Sequence, residues 1–188
     1  PPHEDPLPLS WKVRDIGRPL KGGQQISENN WSLYGGGNDI WNTNDQFRYA
    51  YQKINTDFSF SIKIDSLYNV HQYAKAGLMI RKSLNSNSAH GLVNIFPSGN
   101  TEFGYRTNNG ETMKAKSGPQ IDLKNAKLKI KKLGKIIEFF VLDSNDWRKL
   151  GELNITKWGK SFYVGIATLS HDDSQLTKAQ YSEINLIY

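Results

Sequence analysis

The chain contains no cysteine. Disulfides, thiolate metal sites and cysteine nucleophiles are therefore excluded together. The same lack leaves the compartment open, because oxidising and reducing environments both accommodate a cysteine-free protein. No apolar run reaches membrane-spanning length; the longest, Ile136 to Leu142, is interrupted by Glu138. No membrane insertion is expected. Helical periodicity is nearly missing, which sets aside parallel α/β folds. No signal peptide is visible, and the chain opens on Pro1-Pro2-His3-Glu4-Asp5-Pro6, a proline-rich lead that reads as the start of a mature or trimmed protein.

Motifs for covalent and acid–base chemistry are missing too. Sandwich enzymes that cleave glycosides use two carboxylates, about 5–5.5 Å apart for retention and about 6.5–9.5 Å for inversion. A Glu-x-Asp-x-Glu or Glu-x-Asp-x-x-Glu string would place such groups on one strand face, and none occurs. Cross-strand carboxylate pairs stay open. There is no Gly-x-Ser-x-Gly elbow, and the histidines at positions 3, 71, 90 and 171 lack metal-ligand spacing. His171-Asp172-Asp173 reads as a polar turn in preference to a partial metal site. Gly35-Gly36-Gly37 lacks the Lys-Ser/Thr and helix of a phosphate loop and reads as a bulge or a loop close under an aromatic. No catalytic residue and no metal ligand is assigned, and a non-enzyme is favoured.

What remains is a β-rich pattern. At 188 residues the chain fits one domain able to bury a full core. Short alternating or aromatic and β-branched runs recur between Gly, Asn, Asp and Ser clusters. They give strands over Trp31–Tyr34, Phe47–Tyr51, Asp57–Ile64, Ala76–Arg81, His90–Phe96, Thr101–Arg106, Ala126–Lys132, Ile136–Leu142, Arg148–Leu153, Phe162–Leu169 and Ala179–Leu186. Asn108-Asn109-Gly110, Leu133-Gly134-Lys135 and Asp143-Ser144-Asn145-Asp146 supply turn chemistry. The expected fold is all-β, a two-sheet antiparallel jelly-roll β-sandwich over residues 11–188, preceded by an extended lead at 1–10.

The formal net charge is +6, from 24 basic and 18 acidic residues. Much of the excess lies at Lys124, Lys127, Lys129, Lys131, Lys132 and Lys135, alternating with Leu128 and Ile130. That spacing describes the solvated face of one strand, blunting an exposed edge, and not a nucleic-acid site. Aromatics are the stronger lead. Trp31, Phe47, Phe58, Phe139 and Phe162 suit the core, whereas Trp41, Tyr73, Tyr105 and Trp147 lie in or beside polar segments. An aromatic ring covers the apolar face of a pyranose while placed polar groups bond its hydroxyls. Arg81, Arg106 and His171, at strand ends, are the candidate polar readers, the arginines offering a planar fork to vicinal hydroxyls or acidic sugars. The competing reading makes Arg81 a buried anchor paired with Asp39 or Asp45. The oxygen-rich segment from Asn38 to Asp45 makes a structural calcium the one candidate cofactor.

Several motifs occur in order. They are Trp11-x-x-x-Asp15-Ile16-Gly17, Leu33-x-Gly35-x-Gly37-x-Asp39-Ile40-Trp41, Asp45-x-Phe47-x-Tyr49-x-Tyr51, Ala74-Lys75-Ala76-Gly77-Leu78-Met79-Ile80-Arg81, Val164-Gly165-Ile166-Ala167-x-x-Ser170-His171 and Ala179-x-Tyr181-x-x-Ile184. Together they resemble the concanavalin A-like (LamG-type, jelly-roll) domain of secreted bacterial proteins, the lectin/glucanase type of sandwich. That family is mostly of unknown function and is related to the β-sandwich modules appended to β-xylosidases and other glycoside hydrolases. One departure is the segment Asp143 to Trp147, where relatives often carry Asp-Gly before the tryptophan. The resemblance implies an extracellular, periplasmic or cell-surface setting and a non-catalytic module that binds a glycan or polysaccharide, beside a catalytic domain or protein partner. Trp41, Tyr73, Tyr105 and Trp147 would be its platforms, and Arg81, Arg106 and His171 its readers, on a concave sheet. A glycoside hydrolase or polysaccharide lyase with an unrecognised site is the alternative, with Arg81, His171 and Tyr105 as nominal lyase groups. A structural or interaction module is the second.

Overall fold

Alternation in sequence becomes alternation in burial. In β7 (Phe58–Leu67), Phe58, Phe60, Ile62 and Ile64 are buried while Ser59, Ser61 and Lys63 are partly open, as in a strand with one face on a core. β8 (Lys75–Arg81) and β9 (His90–Ile95) differ, being buried at every position. An antiparallel strand covered on both faces needs a second layer above it, and that layer builds the site described below.

The computed structural model describes residues 2–188, so Pro1 of the lead lies outside the described residues. Two seven-stranded antiparallel sheets pack face to face. The first runs β1 (Lys12–Ile16), β6 (Phe47–Ile54), β15 (Phe162–Leu169), β8, β9, β10 (Asn100–Arg106), β11 (Lys114–Gln120). The second runs β14 (Asp146–Asn154), β13 (Ile136–Asp143), β12 (Ala126–Leu133), β7, β16 (Asp172–Ile187), β3 (Trp31–Gly37), β2 (Gly23–Ile26). A small hairpin of β4 (Ile40–Trp41) and β5 (Asn44–Asp45) stands apart. In the lead, Glu4 bridges Gln24, and Asp5 accepts from the Ile26 amide, so this stretch lies along the β2 edge.

The sheets enclose one large apolar cluster containing Trp31, Phe58, Phe139 and Phe162. Phe47 belongs to a second cluster, with Ile40, Tyr49, Met79, Leu92 and Met113. The strand register explains it. Met79 and Leu92 are cross-strand partners pointing away from the main core, and Ile40 and Met113 come from the segments laid over them. Gly77, in the most distinctive string of the sequence, admits no side chain, since a Cβ there would lie 2.2 Å from the Val93 carbonyl oxygen.

Every strand expected from the sequence is present. β1, β2, β11 and the small hairpin are additional, and β1, β2 and β11 lie at sheet edges. β11 (Lys-Ala-Lys-Ser-Gly-Pro-Gln) offers charge and proline where an edge needs protection from pairing. The lysine-bearing β12 does not serve that purpose, because β13 and β7 flank it. Lys127, Lys129 and Lys131 do alternate outward, but Lys132 turns in to bond Asp57 at 2.8 Å. The triple glycine packs on backbone and not under an aromatic: a Cβ on Gly35 would strike Thr168, and one on Gly37 would strike Gln46. Among the described residues no helix is long and apolar enough to cross a membrane.

Candidate functional site

The covering layer is pinned by charge. Asp45, at the end of the β4–β5 hairpin, is fully buried against Arg81 of β8 and Arg106 of β10, themselves fully buried. Arg106 donates from Nη1 to Oδ2 at 2.8 Å and from Nη2 to Oδ1 at 2.9 Å, a bidentate fork; Arg81 Nη1 adds a bond to Oδ2 at 2.8 Å. The remaining donors go to carbonyls: Arg81 to Ser83 and Asn85, Arg106 to Trp41, Asn42, Ser88 and Glu111. Burial alone would raise the pKa of Asp45, but the neighbouring His90 (when protonated), Arg106 and Arg81 outweigh it and hold the carboxyl below its ordinary value. His90 is pushed down to about 3, first by burial and then by the two arginines against the pull of Asp45. It therefore sits neutral beside the cluster.

This arrangement corrects three expectations. For Arg81 the competing reading holds, a buried anchor paired with Asp45, and Arg106 too has no exposed surface, so neither is a polar reader. A calcium ion does not fit the segment from Asn38 to Asp45, whose carboxylates already face Lys75, Arg81 and Arg106 and whose Trp41 and Asn42 carbonyls already accept from Arg106. No group of three or more His, Asp or Glu among the described residues could hold a metal.

Beside the pinned hairpin a cavity of about 920 Å³ opens on the outer face of the first sheet. Its floor comes from outward positions of β8 to β10. Lys75, Gly77, Asn94 and Glu102 share that face because Gly77 pairs with Asn94, and Asn94 with Glu102, across the strands; of these, Lys75 and Glu102 line the cavity. Phe96 follows two positions beyond Asn94. Asp39, Trp41, Tyr73 and His171 also line it.

Charge and rings set the geometry of this pocket. Lys75, almost entirely buried, bonds Asp39 and lies 5.2 Å from the Trp41 ring centre and 5.8 Å from that of Phe96. Tyr73 meets Phe96 edge-on at 5.9 Å and His171 at 5.5 Å, while the His71 and His171 rings lie 4.4 Å apart. His171 holds positive φ (59°) in the turn after β15. Its Nδ1 is 3.4 Å from Asp39 Oδ2, close enough for attraction but not directed as a hydrogen bond. Burial, with His71 and Lys75 adding to it and Asp39 opposing, lowers the pKa of His171. Burial raises that of Glu102, partly offset by Lys75. Asp172 makes the polar turn expected of it, accepting from Ser174 and Gln175, which lowers its carboxyl to about 2.

Three of the seven candidate site residues thus meet here: Trp41, Tyr73 and His171. Tyr105 lies on the core side of β10, stacked on Phe103 at 5.4 Å. Trp147 is on the other sheet, 4.3 Å from Lys129 Nζ. Lys75, Asn94, Phe96 and Glu102 were not anticipated. The available signal was a polar side chain inside an otherwise apolar strand, the pattern that most merits an explanation. A second cavity of 620 Å³, bordered by Trp11, Glu28, Trp31 and Tyr188, is less suited to binding. Its two indoles pack edge to face at 5.1 Å and none of its polar side chains holds a buried unpartnered atom.

No protein-family model and no curated protein matches the sequence. Solved structures do match in fold. A functionally unknown protein from Saccharomyces cerevisiae superposes with a TM-score of 0.71 at 12% identity, over 95% of this chain and 96% of that one. The GH43 protein BlXynB from Bacillus licheniformis gives 0.73 at 14% identity, covering 98% of this chain but 38% of its own. The carbohydrate binding module CBM66 from Bacillus subtilis gives 0.60 at 13%, over 95% and 96%. The chain is a concanavalin A-like jelly-roll β-sandwich.

Proposed function

We propose that this chain is a non-catalytic carbohydrate-binding module, and that it works outside the cytoplasm. One observation carries the reading: Trp41, Tyr73 and Phe96 line a single cavity together with the polar side chains of Lys75 and Glu102. Rings that cover a sugar's apolar face beside a few fixed polar groups are what a glycan site requires. The fold shared with a carbohydrate binding module and with a GH43 protein supports it. The extracytoplasmic setting rests on the resemblance to secreted domains and is checked by fractionating the source cells.

The binding test is affinity electrophoresis and calorimetry against a polysaccharide panel. Removing the Trp41 ring should weaken binding at least ~10-fold, since stacked aromatics are worth about 0.5–1.5 kcal/mol beyond the area they bury. Unfolding of the Trp41→Ala variant should stay within a few degrees of wild type, because the ring is 38% exposed. A wild-type protein that retains no glycan would sink the proposal. The hydrolase reading is favoured by one fact: Asp39 and Glu102 line the same cavity, the latter with a raised pKa. Release of reducing sugar, abolished in Glu102→Gln, would establish it instead.

A further inference from the structure

Among the described residues, seven buried side-chain polar atoms have no hydrogen-bond partner, and four cluster at this pocket: Oε1 of Glu102 and Nδ1 of His171, which line it, and both amide atoms of Asn94, the cross-strand neighbour of Glu102 on the same sheet face. Asn94 is fully buried, set between Gly77 and Glu102 on the face that floors the cavity. Buried polar atoms are rarely left unpaired because the loss of water is not recovered, so their clustering marks where a ligand supplies the missing partners. Beside the His171 ring nitrogen, the unspent set contains a carboxylate oxygen, an amide oxygen and an amide NH₂. Two of those three groups only accept. The ligand must therefore bring hydrogen-bond donors, which a sugar offers as hydroxyls.

Charge narrows the class further. Although the whole chain carries +6, Lys75 is the single lysine or arginine lining the cavity, and Asp39 already neutralises it. The carboxylate of Glu102 is left without a bonded cation. A second carboxylate placed beside it in this half-enclosed space would meet like charge at low local dielectric. We infer that the pocket takes an uncharged sugar through adjacent hydroxyls, bonded by Glu102 and Asn94, and excludes uronic acids. This rests on the glycan-binding reading above.

The test is calorimetry with uncharged xylo-, gluco-, manno- and fructo-oligosaccharides against oligogalacturonate and oligoalginate, with methyl-esterified oligogalacturonate as the charge-matched control. At least one uncharged series should bind, and the free uronates at least ~10-fold more weakly, an energy of about 1.4 kcal/mol or more. Glu102→Gln should reduce that discrimination to about threefold or less. Asn94→Leu should lose affinity at least ~10-fold while unfolding at the same or a higher temperature, because it replaces an unpaired buried amide by an apolar group of similar size. If uronates bind as well as or better than uncharged sugars, or if both variants bind as wild type does, the inference falls and the glycan-binding reading stands. If no sugar in either set binds, both fall. A lower unfolding temperature for Asn94→Leu with unchanged affinity would make Asn94 a structural residue and overturn its assignment.

Discussion

Acidification should weaken this protein through one buried imidazole. His90 has no exposed surface and stays neutral in the fold, its pKa lowered from 6.5 to about 3. In the unfolded chain it takes up a proton below pH 6.5. Between the two values the unfolded state binds the extra proton, so stability rises with pH. The contribution is complete above about pH 6.5, declines as pH falls, and is exhausted near pH 3. The slope is about 1.4 kcal/mol per pH unit. At pH 5 the loss is therefore about 2 kcal/mol, a sizeable part of the roughly 5–15 kcal/mol that holds a typical domain together. Replacing the ring by an amide, His90→Asn, removes the titration and leaves a group that can still meet polar neighbours.

Urea unfolding of both proteins at pH 7 and pH 5 reads the effect. Wild type should lose about 2 kcal/mol more than His90→Asn over that interval, whatever the variant costs at pH 7. The window avoids Asp45, whose lowered pKa places its own loss at more acid pH, and any effect of His171 is common to both proteins. Parallel pH dependences, or a His90 ring that titrates near 6.5 by NMR, would refute the reasoning.

Two further outcomes follow from the same geometry. Asp45→Asn leaves two fully buried guanidiniums without their counter-charge and should cost about 3–5 kcal/mol in chemical denaturation; a cost under about 1 kcal/mol would mean the cluster does not pin the hairpin. Trp147→Ala should leave glycan affinity within about twofold of wild type by calorimetry, because Trp147 stands on the second sheet and its partner there is a solvent-facing Lys129, a pair worth about 0.5–1 kcal/mol. Loss of binding in that variant would move the site away from the pocket.

Periodicity reads the sheets well wherever a strand buries one face, as in the Phe58–Leu67 run. It passes over β2 (Gly-Gln-Gln-Ile), whose buried positions are a glycine and a glutamine, and β11 (Lys-Ala-Lys-Ser-Gly-Pro-Gln), an edge strand with no fully buried residue. The site was half legible for a different reason. Trp41, Tyr73 and His171 stand out as rings in polar surroundings, a local property. Whether Arg81 and Arg106 face solvent or the interior is not local: their partner Asp45 lies 36 and 61 residues away, on a hairpin too short to register as strands. Asn94 and Lys75 were hidden by apolar neighbours that promised an ordinary core strand. Yet the misread arginines belong to the site after all, one step removed. Arg106 Nη2 donates to the carbonyls of Trp41 and Asn42 at 3.1 and 2.8 Å, and through Asp45 it closes the hairpin that carries Trp41 and Asp39. Asp39 in turn holds Lys75 beneath the Trp41 ring. The buried charges thus fix where the wall of the pocket stands, which is why strand ends that looked like readers of a ligand are supports for the residues that line the pocket.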